Sequence, residues 1–154
     1  LVVLVLPVLA LPLAVPADAA PATPAPTNAA SGVTALRILV LDDEASIRDF
    51  LARILLRNGY EPIAAIDGAS ALEIVRRDPP RAILCDHRMA GMTGIAFHEA
   101  VAAIDPGLAR RFAFMSGDVL NGELHDFAVT RGIVLLAKPF DIESVGRTVA
   151  QIAT

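Results

Sequence analysis

Short apolar runs alternate with amphipathic segments from Arg37 to the end of the chain. Several of these runs are continuously apolar, as is typical of parallel strands covered on both faces. The pattern predicts five strands, at residues 38–41, 61–65, 82–85, 112–115 and 133–137.

Helical spacing fills the intervals between these predicted strands. The clearest case has apolar residues at i, i+3, i+4, i+7 and i+8, which form one face of a helix that ends at Gly59. These residues are Ile47, Phe50, Leu51, Ile54 and Leu55. The last helix is predicted to follow an N-cap at Asp141, and weaker patterns cover residues 69–77 and 119–131.

Strict alternation of strands and helices predicts an α/β fold with right-handed crossovers and one parallel sheet. The strand order 2-1-3-4-5 would place the switch in strand order between the first and third strands. In such a sheet, ligands bind at the carboxyl ends of the strands beside that switch. We therefore expect a doubly wound, five-stranded sheet with helices on both faces.

Residues 1–36 differ in kind from the rest of the chain, because they are apolar at first and then rich in Ala and Pro. Three prolines interrupt an apolar run that is shorter than a membrane-spanning helix requires. We interpret residues 1–36 as the remnant of a preceding domain followed by a linker, and residues 37–154 as one domain. A truncated export signal, with Ala-Asp-Ala-Ala at 17–20 as its cleavage site, stays open.

The formal charge of −4 and the isoelectric point near 5.3 argue against a nucleic-acid-binding surface, because such surfaces need clustered Lys and Arg. The single cysteine, Cys85, cannot form an internal disulfide. That usage fits a reducing compartment, and we expect the domain to be cytoplasmic.

Residues with distinctive chemistry follow four of the predicted strands. Asp42 and Asp43 follow the first strand, Asp86 the third, Ser116 the fourth and Lys138 the fifth. Because the carboxyl ends of parallel strands share one edge, three carboxylates, one hydroxyl and one ammonium should converge there.

The charges in this predicted cluster limit its chemistry. Two carboxylates about 5 Å apart repel by about 3 kcal/mol at an effective dielectric constant near 20, so three of them require protonation or a cation. Lys138 supplies one positive charge, and it is the only lysine in the chain. Mg²⁺ suits the remaining need, because it binds few carboxylates, keeps waters and accepts phosphate oxygens.

The chain resembles the receiver domains of two-component response regulators over residues 37–154. The resemblance rests on four motifs that occur in order at the expected separations: RILVLDDE at 37–44, AILCDHRMAGMTG at 82–94, FAFMSGD at 112–118 and LLAKPFD at 135–141. It implies a flavodoxin-like fold, and a phosphorelay function that also includes self-phosphorylation and self-dephosphorylation chemistry.

The resemblance also implies a role for each motif residue. Asp86 would accept a phosphoryl group from the phosphohistidine of a histidine kinase or a histidine phosphotransfer domain. Asp43 and Asp86 would bind Mg²⁺ directly, Asp42 would assist through water, and the backbone carbonyl of Arg88 would be a further ligand. Ser116 and Lys138 would contact the phosphoryl group.

The sequence departs from the family pattern at Leu135, three residues before Lys138. Many members carry Tyr or Phe there, and that ring swings inward with the switch hydroxyl. Leucine cannot act as this rotor, so we expect no strong aromatic switching on the surface formed by the fourth predicted helix, the fifth strand and the last helix.

Two other functions stay open at this point. A phosphohydrolase could use a nucleophilic Asp after the first strand, although such enzymes have Asp-x-Asp where this chain has Asp42-Asp43-Glu44. A module that binds partners without phosphorylation could also share the fold. Within the favoured hypothesis, the domain is either the C-terminal receiver of a hybrid histidine kinase, which would tether it to a membrane, or a single-domain regulator.

Overall fold

The computed structural model describes residues 34–120 and 122–154. The apolar segment, the cleavage-like segment and nearly all of the interpreted linker lie outside these residues. Within the described ranges, no helix combines the length and the apolar character that crossing a bilayer requires.

Five parallel strands form one sheet in the order β2-β1-β3-β4-β5, which confirms the predicted fold. The strands are β1 (Arg37–Leu41), β2 (Glu61–Ala65), β3 (Ala82–Asp86), β4 (Phe112–Ser116) and β5 (Val134–Ala137). The helices are α1 (Ala45–Arg57), α2 (Gly68–Arg77), α3 (Gly94–Ile104), α4 (Pro106–Ala109), α5 (Glu123–Arg131) and α6 (Ile142–Ile152).

The strand positions follow from their composition. β3 and β4 lie inside the sheet and are buried at every residue, as continuous apolar runs in parallel sheets should be. β2 lies at an edge and contains Pro62, which has no N–H to donate to a ladder and is tolerated at edges.

Two apolar layers pack on opposite faces of the sheet. The layer that includes Leu39, Leu41, Phe97 and Phe114 joins the sheet to α2, α3, α4 and α5. The layer that includes Ile38 joins the sheet to α1 and α6. Because successive strand residues point to opposite faces, β1, β3, β4 and β5 contribute to both layers, whereas the edge strand β2 contributes to the first layer only. Each fully buried Leu, Ile or Phe stabilises the fold by about 1.5–3 kcal/mol.

Four of the described helices begin at a side-chain N-cap, and the caps of α6 and α4 are the most complete. Asp141 accepts a hydrogen bond from the Ser144 N–H at 2.7 Å, and the Ser144 hydroxyl bonds back to the Asp141 N–H at 3.1 Å. The short helix α4 was not predicted. Asp105 caps it and Pro106 is its first residue, a combination that favours a helix start.

The helix predicted at 119–131 begins later than expected, at Glu123. Gly122 adopts a φ of 89°, outside the helical region. Because such a residue cannot belong to a right-handed helix, residues 119–120 form part of the β4–α5 loop. β5 likewise begins at Val134, one residue after the predicted start.

Candidate functional site

The sheet register brings the predicted site residues to one edge. Leu41 of β1 pairs with Cys85 of β3, so Asp42 and Asp86 each lie one residue beyond a matched pair. Asp86 pairs with Met115 of β4. The acids of β1 and β3 therefore lie side by side, with the end of β4 next to them.

The same ladder places the hydroxyl and ammonium residues. Ser116 is the last residue of β4 and pairs with Ala137 of β5. The Lys138 N–H then donates to the Ser116 carbonyl at 2.7 Å, and the Lys138–Pro139 peptide bond is cis. Lys138 thus leaves the sheet directly beside Ser116.

Lys138 joins two of the three carboxylates. Its Nζ lies 3.1 Å from Oδ2 of Asp42 and 3.1 Å from Oδ1 of Asp86. Asp42 is 1% exposed and Asp86 is 6% exposed, so both ion pairs are largely removed from water. In such surroundings a charge-assisted hydrogen bond is stronger than at an open surface.

The third carboxylate, that of Asp43, completes an acidic cluster. Asp42, Asp43 and Asp86 each present an oxygen, and these oxygens lie within 4.8 Å of one another. Asp43 is exposed, whereas the other two are buried. When all three carboxylates are ionised and Lys138 is counted, the cluster has an excess of two negative charges, which is the charge a divalent cation would neutralise.

The oxygen spacing fits a small hard cation. Mg²⁺ binds oxygens at about 2.0–2.1 Å in an octahedron, so neighbouring ligands lie about 3 Å apart and opposite ones about 4 Å apart. The 4.8 Å limit on the carboxylate oxygens is close to this range. Asp43 and Asp86 fit direct ligation best, because both carboxylate oxygens of Asp42 already accept hydrogen bonds, from the Glu44 N–H and from Lys138.

Burial and charge perturb the two partners of the central ion pair. Burial raises the pKa of Asp86, the hydrogen bond from Lys138 opposes that rise, and the charges of Asp42 and Asp43 add to it. Burial lowers the pKa of Lys138, but its hydrogen bonds to Asp86 and Asp42 outweigh that effect and leave the pKa raised. The ammonium is therefore charged at neutral pH, whereas the Asp86 carboxylate resists ionisation.

Ser116 lies at the predicted edge, but its hydroxyl bonds locally. The Oγ donates to the Asp118 carbonyl and accepts from the Asp118 N–H, both at 3.1 Å. To donate to a group bound at Asp86, this hydroxyl would have to turn its proton away from the Asp118 carbonyl. Arg88 is exposed in the β3–α3 loop, and the ligand role of its carbonyl stays a prediction.

Leu135 lies on β5, and its partly buried side chain packs against the layer that contains Phe114. It is not turned outward as a surface residue would be. The position predicted to lack an aromatic rotor is thus filled by a partly buried leucine that packs against the core.

The histidines stay outside the acidic cluster. His98 is 2% exposed and its ring packs edge-on against Phe112 and Phe127, so it is a core residue. His87 is half-buried, and its ring meets Phe114 at an angle of 83°. Cys85 is fully buried, and burial raises the pKa of its thiol.

Arg48 is a contact of the site that the sequence motifs did not indicate. Its Nη1 donates to the Asp42 carbonyl at 2.7 Å. One signal was available, since Arg48 lies in the first turn of α1, where a cation is disfavoured by the helix dipole.

Comparison with known proteins finds relatives that match this chain over most of their own length. Sporulation initiation phosphotransferase F of Bacillus subtilis is 32% identical over 112 residues, which cover 71% of this chain and 86% of that protein. The response regulator receiver protein CpdR of Brucella abortus is 31% identical over 109 residues, covering 71% of this chain and 89% of that protein. Other relatives are longer, and the match spans 32% of the transcriptional regulatory protein PrrA of Mycobacterium tuberculosis.

Solved structures agree with the fold. The chemotaxis response regulator CheY4 of Vibrio cholerae superimposes with a TM-score of 0.70 at 28% identity, covering 77% of this chain and 99% of that one. The receiver domain of NtrX from Brucella abortus gives 0.67 at 29% identity, covering 75% and 97%. Residues 38–150 match the family described as the response regulator receiver domain. The chain therefore belongs to the receiver-domain family of two-component response regulators.

Proposed function

We propose that Asp86 accepts a phosphoryl group in two-component signal transduction, with Mg²⁺ held by Asp43, Asp86 and the Arg88 carbonyl. The observation that carries this proposal is the position of Lys138, whose Nζ is 3.1 Å from both Asp86 and Asp42. An ammonium in this position can pair with the carboxylate before transfer and with an oxygen of the attached phosphoryl group afterwards.

The transfer itself exchanges one bond to phosphorus for another. A carboxylate oxygen of Asp86 attacks the phosphorus of a phosphohistidine. The new O–P bond forms, the N–P bond breaks, and the imidazole nitrogen keeps the electron pair and takes a proton. Mg²⁺ supplies positive charge that offsets repulsion between the acids and the incoming phosphate.

The neighbouring side chains act on the same phosphoryl oxygens. Lys138 donates to one of them, and Ser116 donates to another once its hydroxyl leaves the Asp118 turn. Asp42 holds Lys138 in place through its Oδ2. Hydrolysis reverses the modification, because water attacks phosphorus, the O–P bond breaks, and inorganic phosphate leaves.

The proposed donor is a histidine kinase or a histidine phosphotransfer domain. An apolar hollow of about 360 Å³ adjoins the site and could receive apolar side chains of that donor. It is lined by Ile47, Phe50, Lys138, Pro139 and Phe140. The relative from Bacillus subtilis is itself named a phosphotransferase.

We further propose a cytoplasmic location, which suits the single buried cysteine and the reducing conditions there. The domain boundary at residue 37 and attachment to a hybrid kinase also remain proposals. The alternative phosphohydrolase would need Asp42 as its nucleophile. Both carboxylate oxygens of Asp42 already accept hydrogen bonds, from the Glu44 N–H and from Lys138, which argues against that chemistry.

Labelling with a small phosphodonor tests the proposal. The chain is incubated with acetyl phosphate and Mg²⁺, and the mass of the intact protein is measured. We expect one added phosphoryl group in the wild type and in the control Asp126→Asn, an exposed site on α5. Asp86→Asn should remain unlabelled, and EDTA should abolish labelling.

Equal labelling of wild type and Asp86→Asn would remove Asp86 as the acceptor. Binding of beryllofluoride provides a second test, because a partner-binding module without phosphorylation chemistry would have no reason to bind it in a Mg²⁺-dependent manner. Release of phosphate from an added phosphate ester at many turnovers would instead favour the hydrolase.

A further inference from the structure

Every polar group of Asp42 takes part in a hydrogen bond. Its N–H donates to the Ala65 carbonyl at 3.3 Å, and its side-chain oxygens accept from the Glu44 N–H at 2.9 Å and from Lys138 at 3.1 Å. Its carbonyl accepts from Arg48 at 2.7 Å. The backbone that presents the acid pair is thus fixed from several sides.

Arg48 supplies the one contact in this set that comes from a charged side chain to the backbone. Asp42 lies one residue beyond the last paired position of β1, Leu41 with Ala65. Its N–H makes the last hydrogen bond to β2, and the Arg48 guanidinium reaches back six residues to its carbonyl. A bond between a charged donor and a partly buried carbonyl is stronger than one between neutral groups.

The position of Arg48 in α1 is costly for the helix itself. The first turn of α1 contains no acidic residue, and Glu44 makes no side-chain cap. A cation near a helix N-terminus opposes the positive end of the helix dipole. The acidic cluster beyond that N-terminus offsets this cost, since it carries excess negative charge.

We propose that Arg48 is a positioning residue for the metal site, which holds the Asp42–Asp43 backbone so that Asp43 and Asp86 can share one cation. This inference rests on the proposed function. Asp43 is exposed, so the orientation of its carboxylate depends on the backbone at 42–43. Loss of the Arg48 contact frees that backbone, while the ion pairs of Lys138 remain.

Titration calorimetry with Mg²⁺ alone tests this role. Arg48→Met removes both the donor and the charge, and Arg48→Lys keeps a donor and the charge. Arg53→Met is the matched control, because Arg53 is an exposed arginine within the same helix. Groups that orient metal ligands commonly affect affinity about 10- to 100-fold.

We expect Arg48→Met to weaken Mg²⁺ binding about tenfold, Arg48→Lys to recover most of that loss, and Arg53→Met to match the wild type. Thermal unfolding without metal is measured for each variant. A lower melting temperature with unchanged Mg²⁺ affinity would overturn the inference, because Arg48 would then serve the fold alone. Unchanged values in both measurements would overturn it too.

The wild-type titration separates this inference from the proposed function. If the wild type binds no Mg²⁺, the proposed function and the role of Arg48 fall together. If the wild type binds Mg²⁺ and Arg48→Met binds it equally well, only the role of Arg48 falls.

Discussion

The Nζ of Lys138 lies 3.1 Å from Oδ2 of Asp42, a residue 96 positions earlier in the chain. This contact and the matching one to Asp86 are the attractive interactions that oppose repulsion among three neighbouring carboxylates. The raised pKa of Lys138 means that its stabilising charge is fully present below the ordinary value of 10.5 and is lost only as the pH rises through the higher folded value.

Substitution of Lys138 should therefore weaken the fold at neutral pH. We expect Lys138→Met to lower the free energy of unfolding in EDTA by about 1–2 kcal/mol, less than for a fully buried pair because the lysine side chain is 26% exposed. Urea denaturation followed by circular dichroism measures this. Lys138→Arg keeps the charge and should lose less. An unchanged unfolding curve for Lys138→Met would show that the ion pairs contribute nothing.

Two glycines in helices should respond oppositely to alanine. A Cβ on Gly94 would lie 2.9 Å from the His87 Cα and 3.0 Å from the Asp86 carbonyl oxygen. Because these are backbone atoms, they cannot yield cheaply, and we expect Gly94→Ala to destabilise the protein by about 2 kcal/mol or more.

Gly146 in α6 is the matched control, since a Cβ there would meet only the Asn58 side chain, at 3.7 Å. Gly146→Ala should stabilise the protein by roughly 0.5–1 kcal/mol, because alanine has the higher helix propensity. Both changes are read from thermal melts. Equal effects of the two substitutions would contradict the close packing of Gly94 against the end of β3.

His98 should make stability fall on mild acidification. Its Nε2 bonds to the Ala109 carbonyl at 2.9 Å, whereas Nδ1 is buried and has no hydrogen-bond partner in the described parts of the chain. Burial lowers the pKa of His98 below its ordinary 6.5. The unfolded chain therefore binds the proton more readily, so this contribution is present above pH 6.5 and is lost as the pH falls through the folded value.

We expect the wild type to lose roughly 1 kcal/mol more than His98→Leu between pH 7.5 and pH 5.5. The control His125→Gln, at a partly exposed position on α5, should follow the wild type. Urea denaturation at each pH measures the difference. If the free energy of unfolding falls equally in wild type and His98→Leu, protonation of His98 does not destabilise the folded state.

The spacing of apolar residues and the alternation of strands and helices along the chain were enough to predict the sheet. The continuous apolar runs at β3 and β4 have no other stable environment than the centre of a covered parallel sheet. Once the strand order was set, the convergence of Asp42, Asp86 and Lys138 followed from the rule that parallel strands end at one edge.

Features that depend on single torsions or on contacts between elements were not predictable in this way. The start of α5 is set by the positive φ of Gly122, and the local bonding of the Ser116 hydroxyl is set by the turn at Asp118. The contact between Arg48 and the Asp42 carbonyl requires the angle between β1 and α1, which periodicity does not encode. The burial of His98 depends on three phenylalanines contributed by two other elements.

The pairing of Leu41 with Cys85 fixes more than the alignment of two strands. Neighbouring residues of a strand face opposite ways, so a slip of β3 by a single position would exchange the Asp86 carboxylate for the Cys85 thiol. Lys138 would then face sulfur, and the acidic pair would lose its third member. If Asp86 is the phosphoryl acceptor, as we propose, a misaligned molecule would offer no acceptor at the cluster, and the fraction of protein labelled would equal the fraction with correctly paired strands.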